Sequence, residues 1–376
     1  MSKRSFVTDL RPIAPAARTS FQAASICLGF ALALGSALAR AQEPAPSFIE
    51  FSVTVYGTVP TSINTAGTIP GYYFDSVGAY HGFVRDTSGN ITMFDVTGAG
   101  TNSQQGTVGG DINTGGTIAG DYIDAKGVSH GYIRSSSGTI KTFSVSGAGT
   151  GKGEGTLCCA LNDGGATAGY WIDKNNVNHG FVRTAAGAVT KFDVKGAGTV
   201  AHLGTFGRGI DKAGLVAGYY IDMNGVSHGF TRTSAGVIST FDVPGAGTAG
   251  GEGTTVLSMT PGGAMAGYYV DSTGIYHAFE RTAKGAYITV TIKNATATYG
   301  AAANDSGILC GFYISAAGPE MGFVRSSSGT VTTFPAPGAG TNVGQGTEVD
   351  GINSTGIIIG PYINSGGIDQ AYLRTP

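Results

Sequence analysis

Residues 220–232 read Tyr-Ile-Asp-Met-Asn-Gly-Val-Ser-His-Gly-Phe-Thr-Arg. Two short apolar runs flank an Asp-x-x-Gly turn, with Asp at the first position and Gly at the fourth as type I turns prefer. The phrase recurs along the chain with small changes. Its histidine returns as His81, His130, His179, His228 and His277, each 49 residues after the last. Two worn copies end at Met321–Arg325 and Gln370–Arg374, which makes seven. A fixed period of about 40–50 residues marks blades or arrays, and it governs everything else in the reading.

One repeat, residues 106–154, divides into four strands. Gly106–Asn113, Thr117–Asp124, Val128–Arg134 and Thr139–Val145 are separated by Gly-, Asp- and Ser-rich turns. Such spacing predicts consecutive antiparallel hairpins. No helical period of apolar residues appears beyond the first 41 positions. The expected fold is all-β, a seven-bladed β-propeller of four-stranded antiparallel blades, with repeats starting near 57, 106, 155, 204, 253, 297 and 346. The last copy ends after its third strand, at Arg374-Thr-Pro376, while Ser47–Val53 near the other end matches a fourth strand. The N-terminal strand, placed over residues 47–55, is therefore expected to complete the last blade and close the ring, limiting the exposed edges that invite aggregation. Residues 42–376 then form one propeller domain.

Glycine accounts for 64 of 376 residues, more than twice the usual roughly 7%. The glycines keep register with the repeat and read as turn and packing positions. Gly82, Gly131, Gly180, Gly229 and Gly322, beside an aromatic rung on the third strand, are expected to accept a ring from the neighbouring blade.

The first 41 residues differ in kind. Lys3, Arg4, Arg11 and Arg18 precede an apolar run from about Ala23 to Ala39, then Ala39-Arg40-Ala41. A basic front, an apolar run and a small-x-small site describe a secretory signal peptide. The run is shorter than the ~20 residues of a spanning helix, so no membrane span is expected after cleavage. The localisation expected is extracellular or periplasmic. Removing residues 1–41 leaves 17 basic and 23 acidic residues, a net charge of −6. An acidic surface without a basic run argues against nucleic acid as a partner. Cys158, Cys159 and Cys310 remain, too few and odd in number for a disulfide framework.

The His-Gly-Phe phrase, with a literal His277-Ala278-Phe279 and preceding Gly-Tyr-Tyr and Ile-Asn-x-x-Gly elements, resembles the HAF family of extracellular repeat proteins. The resemblance covers residues 57–374 and departs at Met321 and Gln370. It implies export and a repeat architecture, and it carries over no catalytic residues.

Candidate chemistry is sparse. Five histidines on different blades stand too far apart to share a metal ion, whose ligands must lie ~2.0–2.3 Å from it. One Asp per turn supplies too few oxygens for calcium. No metal or cofactor is expected. Each histidine follows an aspartate by six residues, and a carboxylate–imidazole hydrogen bond is expected for Asp75–His81, Asp124–His130, Asp173–His179, Asp222–His228 and Asp271–His277. A specific site should break the symmetry. On the first strand, the expected channel lining, Arg208 and Asp350 share a rung; Glu348 lies two residues before Asp350 on the same face, and Asp111 one rung over. These four are the candidate ligand-binding residues. No catalytic signature is present. The function expected is a secreted, non-catalytic binding or scaffolding module for a glycan or a surface protein. The alternatives are a propeller lyase or hydrolase with its site in the axial channel, and a structural envelope or matrix component.

Overall fold

The structure, a computed structural model, describes residues 45–376. The signal peptide assigned to residues 1–41 lies outside them. The described residues form thirty β-strands and no helix. All thirty strands belong to one hydrogen-bonded sheet, and the fold is all-β.

Residues 155–192 show how the repeat folds. Gly155–Leu161, Thr167–Ile172, Asn178–Arg183 and Val189–Phe192 pair antiparallel in that order. A single parallel contact then joins Asn178, on the third strand, to Gly204 at the start of the next repeat. The same step links Tyr80 to Gly106, Ser129 to Gly155, Ser227 to Gly253 and Glu320 to Gly346. Glycine serves that step in these copies, while in the sixth Ala297 meets Tyr276 beside an extra bulge. Gly106 has φ 121° and Gly204 φ 119°, and a Cβ at either would run into the backbone oxygen of the strand beside it.

The first strand carries an irregularity that alternation alone does not announce. Pairing with the second strand skips one residue at Cys159, Arg208, Leu257 and Ala301. A bulge of this kind leaves its residue outside the ladder and re-aims its side chain. In two repeats the first strand is interrupted at the same place, between Thr107 and Asp111 and between Thr347 and Gly351.

The two ends of the described chain meet. Phe48–Phe51 runs antiparallel to Asp369–Arg374, with Phe48 opposite Arg374 and Phe51 opposite Ala371. The Thr375 N–H donates to the Ser47 carbonyl at 2.9 Å, and the Gly338 N–H donates to Glu50 at 2.6 Å. Phe48 packs on Phe334 and Tyr372, and Phe51 on Phe83.

A second connection runs through the turns between first and second strands. Asn64 Nδ2 donates to the carbonyl of Asn113, Asn113 to Asn162, and Asn162 to Asp211. Asn304 donates to Asn353, and Asn353 back to Asn64 at 3.2 Å. Each of these asparagines also accepts, through Oδ1, the N–H four residues on, as Asn64 does from Thr68 and Asn353 from Ile357. One amide thus fixes its own turn and grips the next repeat. Asp211 has no amide hydrogen to give, and there the Lys212 N–H donates to the Pro261 carbonyl instead. The Gly262 N–H donates to Asp305, the neighbour of Asn304, at 2.9 Å, and the circuit returns to its starting residue.

Packing between repeats corrects one expectation. The glycine on the third strand accepts a ring from its own fourth strand: a Cβ on Gly82 would lie 2.6 Å from Phe94. That ring then meets the next repeat edge-on, Phe94 against Tyr132 and Phe192 against Phe230. The fourth strand lies directly over the third in the ladder, so its ring reaches the glycine before any neighbour does. The arginine of the next repeat covers the same ring, Arg134 over Phe94 at 4.8 Å and Arg281 over Phe241 at 4.6 Å. Six of the seven inter-repeat seams are therefore closed by an aromatic pair capped with a guanidinium, and at the seventh Val290 takes the place of the ring.

Candidate functional site

The four residues singled out in the sequence stand on the first strands of repeats two, four and seven. Asp111 is a structural clip. Its carboxylate accepts from Ser62 Oγ at 2.7 Å and from the Leu161 N–H at 2.9 Å, spanning three repeats. Burial raises its pKa, and those two donors pull it back down. Arg208, on the bulge, lies over the rings of Tyr170 and Tyr219 and donates to Tyr219 Oη at 3.2 Å. Phe206 stacks on Tyr219 at 4.6 Å. Beside this group Cys159 has its thiol pushed up to about 11 by burial, with Arg208 acting in the opposite sense. Asp350 stands where the first strand is interrupted, at the position corresponding to Arg208 three repeats earlier. Glu348 is 5% exposed and lies on the sheet face opposite Pro361. The offset that re-aims residue 350 separates it from Glu348, so the expected shared face does not follow from simple alternation.

The imidazoles are held more fully than the sequence indicated. His130 and His277 approach Asp124 and Asp271 at 3.3 and 2.9 Å, and His81 approaches Asp75 at 3.5 Å. His179 and His228 lie 3.7 and 3.8 Å from Asp173 and Asp222. The shorter contact in most copies is with a residue fourteen positions later, at the end of the fourth strand. His81 Nδ1 meets Asp95, His179 meets Asp193 and His228 meets Asp242, all at 3.0 Å. His130 meets Ser144 and His277 meets Thr291 in the same place. Each ring also stacks on the second-strand aromatic, most closely His179 on Trp171 at 4.2 Å. Nδ1 is hydrogen-bonded in all five copies, but Nε2 reaches its aspartate in three only: at 3.7 and 3.8 Å the hydrogen bonds expected for Asp173–His179 and Asp222–His228 are not made, because the ring turns toward the carboxylate fourteen residues on. Among the described residues no three His, Cys, Asp or Glu side chains are grouped to hold a metal ion.

A different set breaks the repeat symmetry. Within each repeat, strand alternation and register put three positions, one on each of the first three strands, on the same sheet face, next to the turn between second and third strands. Across the seven copies the second-strand position holds Tyr72, Asp121, Tyr170, Tyr219, Tyr268, Phe312 and Pro361. The rings touch in three groups. Phe206 meets Tyr170 and Tyr219 at 5.1 and 4.6 Å. Tyr72 meets Tyr80 at 5.5 Å. Tyr299 meets Tyr268, Tyr276 and Phe312 at 5.0–5.4 Å. Three buried acids, Glu320, Glu348 and Asp369, follow these rings in repeats six and seven, 6%, 5% and 7% exposed. Glu320 sits beside Gly346, two residues before Glu348, and Asp369 lies opposite Ile363. Asp121, 2% exposed, holds the position that its neighbours give to tyrosine, and burial raises its carboxyl to about 8. Burial likewise raises the Tyr80, Tyr268 and Tyr276 hydroxyls, which stay protonated donors. Exposed apolar residues, Val77, Val200, Met223 and Val343, stand on the loops at this end.

Glu320 and Asp369 escaped the sequence reading, yet a signal was there. They immediately precede Met321 and Gln370, the two places where the histidine is lost. Adjacent strand residues point to opposite faces. The same two copies therefore drop an imidazole from one face and place a carboxylate on the other.

No family model matches the chain, and no curated protein matches it. Solved structures do. A structure from a study of two prolyl endopeptidases superposes with a TM-score of 0.52 at 12% identity, over 85% of this chain and 50% of that one. A puromycin hydrolase gives 0.51 at 11%, over 85% and 52%. The BP39L lectin from Burkholderia pseudomallei gives 0.48 at 11%, over 84% and 98%. The chain spans about half the length of the puromycin hydrolase and prolyl endopeptidase structures. At such identities the likeness is one of fold, and the fold is that of a β-propeller.

Proposed function

We propose that the chain is an exported, non-catalytic propeller that binds a glycan on the tyrosine and carboxylate layer. Its seven four-stranded blades are closed by the N-terminal strand, it is delivered by the leader at residues 1–41, and it belongs with the HAF-type repeat proteins. The seven register positions, the pairing of Phe48–Phe51 with the last strand and the returning asparagine circuit support the blade count.

One observation carries the binding function. In each repeat three positions share a sheet face, and the acids and tyrosines there break the repetition that the rest of the molecule keeps. Tyrosine rings offer flat apolar surface for a sugar face and hydroxyls for its edge. Carboxylates accept sugar hydroxyls through charge-assisted hydrogen bonds. The groups that would serve catalysis are otherwise engaged: the imidazoles are clamped, and the Cys159 thiol stays protonated at neutral pH.

The test is a glycan panel titrated with purified residues 42–376, repeated with a Glu348→Gln/Asp369→Asn double variant. The proposal expects one sugar class to bind wild type and to lose at least tenfold in the variant. Silence across the panel would favour a structural component, and turnover of a bound sugar would favour the enzyme.

A further inference from the structure

We propose that the ligand carries a cationic amine, an amino-sugar oligosaccharide held with its ammonium groups toward Glu320, Glu348, Asp369 and Asp121. The inference rests on the glycan-binding function above and names the class of sugar.

The charge of the layer sets the sign. At the three positions of the face, across all seven copies, four residues are acidic and none is Lys or Arg. The acids fall in copies two, six and seven, flanked by the rings of Tyr72 and Tyr80 on one side and Tyr276 and Tyr299 on the other. Ammonium groups are attracted to ring faces as well as to carboxylates, so both components of the layer favour the same ligand charge.

An independent observation comes from Asp121. Its side chain is 2% exposed, and among the described residues its Oδ1 has no hydrogen-bond partner. Its register aims it into the layer, at the place where Tyr72 precedes and Tyr170 follows. Buried polar atoms are almost always satisfied, and one that is not calls for an explanation. A carboxyl group kept neutral by burial is ready to ionise when a cation arrives. The bookkeeping is simple: the ammonium enters, Asp121 loses its proton to solvent, and the pair gains a charge-assisted hydrogen bond.

Three tetrasaccharides of equal length separate the outcomes by calorimetry at pH 7: β-1,4-linked glucosamine, its N-acetylated form, and the glucose analogue. The inference expects the glucosamine tetramer to bind at least tenfold more tightly than either neutral tetramer, with affinity falling as salt rises. Titration in two buffers of different ionisation enthalpy should show that wild type releases more protons on binding than Asp121→Asn, by up to one per ligand. Equal binding of all three tetramers would overturn the amine and leave glycan binding intact. Preference for a neutral tetramer would do the same. Binding of none of the three, while another sugar of the panel binds, would also overturn it. No sugar binding at all would remove both proposals.

Discussion

Asn353→Ala tests how much the asparagine circuit holds. The residue is 3% exposed. Its Oδ1 accepts the N–H groups of Thr355 and Ile357 at 3.1 and 2.9 Å and the Thr355 hydroxyl at 2.8 Å. Its Nδ2 donates to the Asn64 carbonyl at 3.2 Å, across 289 residues. Alanine removes all four bonds, at roughly 0.5–1.5 kcal/mol each, and leaves the buried Asn64 carbonyl without this donor. Water can reach the exposed turn and recover part of the loss, so the expected cost is about 2–4 kcal/mol. Asn353→Asp keeps the acceptor and loses the donor, and should cost about half as much; nature has made that choice at Asp211, where the Lys212 N–H compensates. The assay is urea unfolding of residues 42–376 followed by tryptophan fluorescence from Trp171, with Asn102→Ala in an exposed loop as control. A loss below ~0.5 kcal/mol for Asn353→Ala, no greater than the control, would show that the circuit contributes nothing.

Three further outcomes follow from the geometry. Burial works against the His81 charge, but Asp95 and Asp75 outweigh it and raise the pKa above the ordinary 6.5. That contribution is fully present below ~6.5 and lost as pH rises through the folded value; backbone donors and His81 lower the pKa of Asp75 against its burial, so its contribution is present above ~4 and lost on acidification. The melting-temperature difference between wild type and His81→Gln should therefore be largest between these limits and shrink toward pH 9; a difference that grows with pH would contradict the clamp. Gly82→Ala should destabilise by about 1–3 kcal/mol, because its methyl would overlap the Phe94 ring. Phe94→Val, which copies the natural Ala278–Val290 pair, gives up the contacts with Tyr132 and Arg134 but removes the overlap, so Gly82→Ala should cost far less in that background, and an equal cost would refute the fit. Half-buried Cys159, its thiol raised to about 11, should resist iodoacetamide at pH 8 in the native state and react in urea; rapid native labelling would refute the raised pKa.

What the sequence disclosed follows from what repeats. Turns such as Asp222–Gly225 and the aromatic and glycine columns recur at 49 residues, shortened once to 44 between Phe279 and Phe323, because each repeat solves the same packing problem, so strands and period were legible. The bulge at Cys159, Arg208, Leu257 and Ala301 was not, because a skipped pairing leaves no mark in composition and these four side chains share no chemistry. The second partner of each histidine was hidden for another reason. Asp95, Asp193 and Asp242 sit fourteen residues on and meet the ring through a different hairpin. Glu320 and Asp369 looked like erosion of the motif, because the lost histidine and the gained acid occupy adjacent residues on opposite faces. Deviations at one register position, compared copy by copy, mark the candidate site better than the repeat itself does.

The meeting of the chain ends is most directly examined by cysteine pairing. Ile49 lies opposite Leu373 in the antiparallel ladder, a spacing at which a disulfide forms without backbone movement. Ile49→Cys/Leu373→Cys, oxidised with Cys158, Cys159 and Cys310 replaced by alanine, should form a monomeric cross-link in nearly all molecules and raise the urea midpoint of unfolding. Failure to cross-link, or cross-linking between molecules alone, would mean that the first strand does not complete the last repeat.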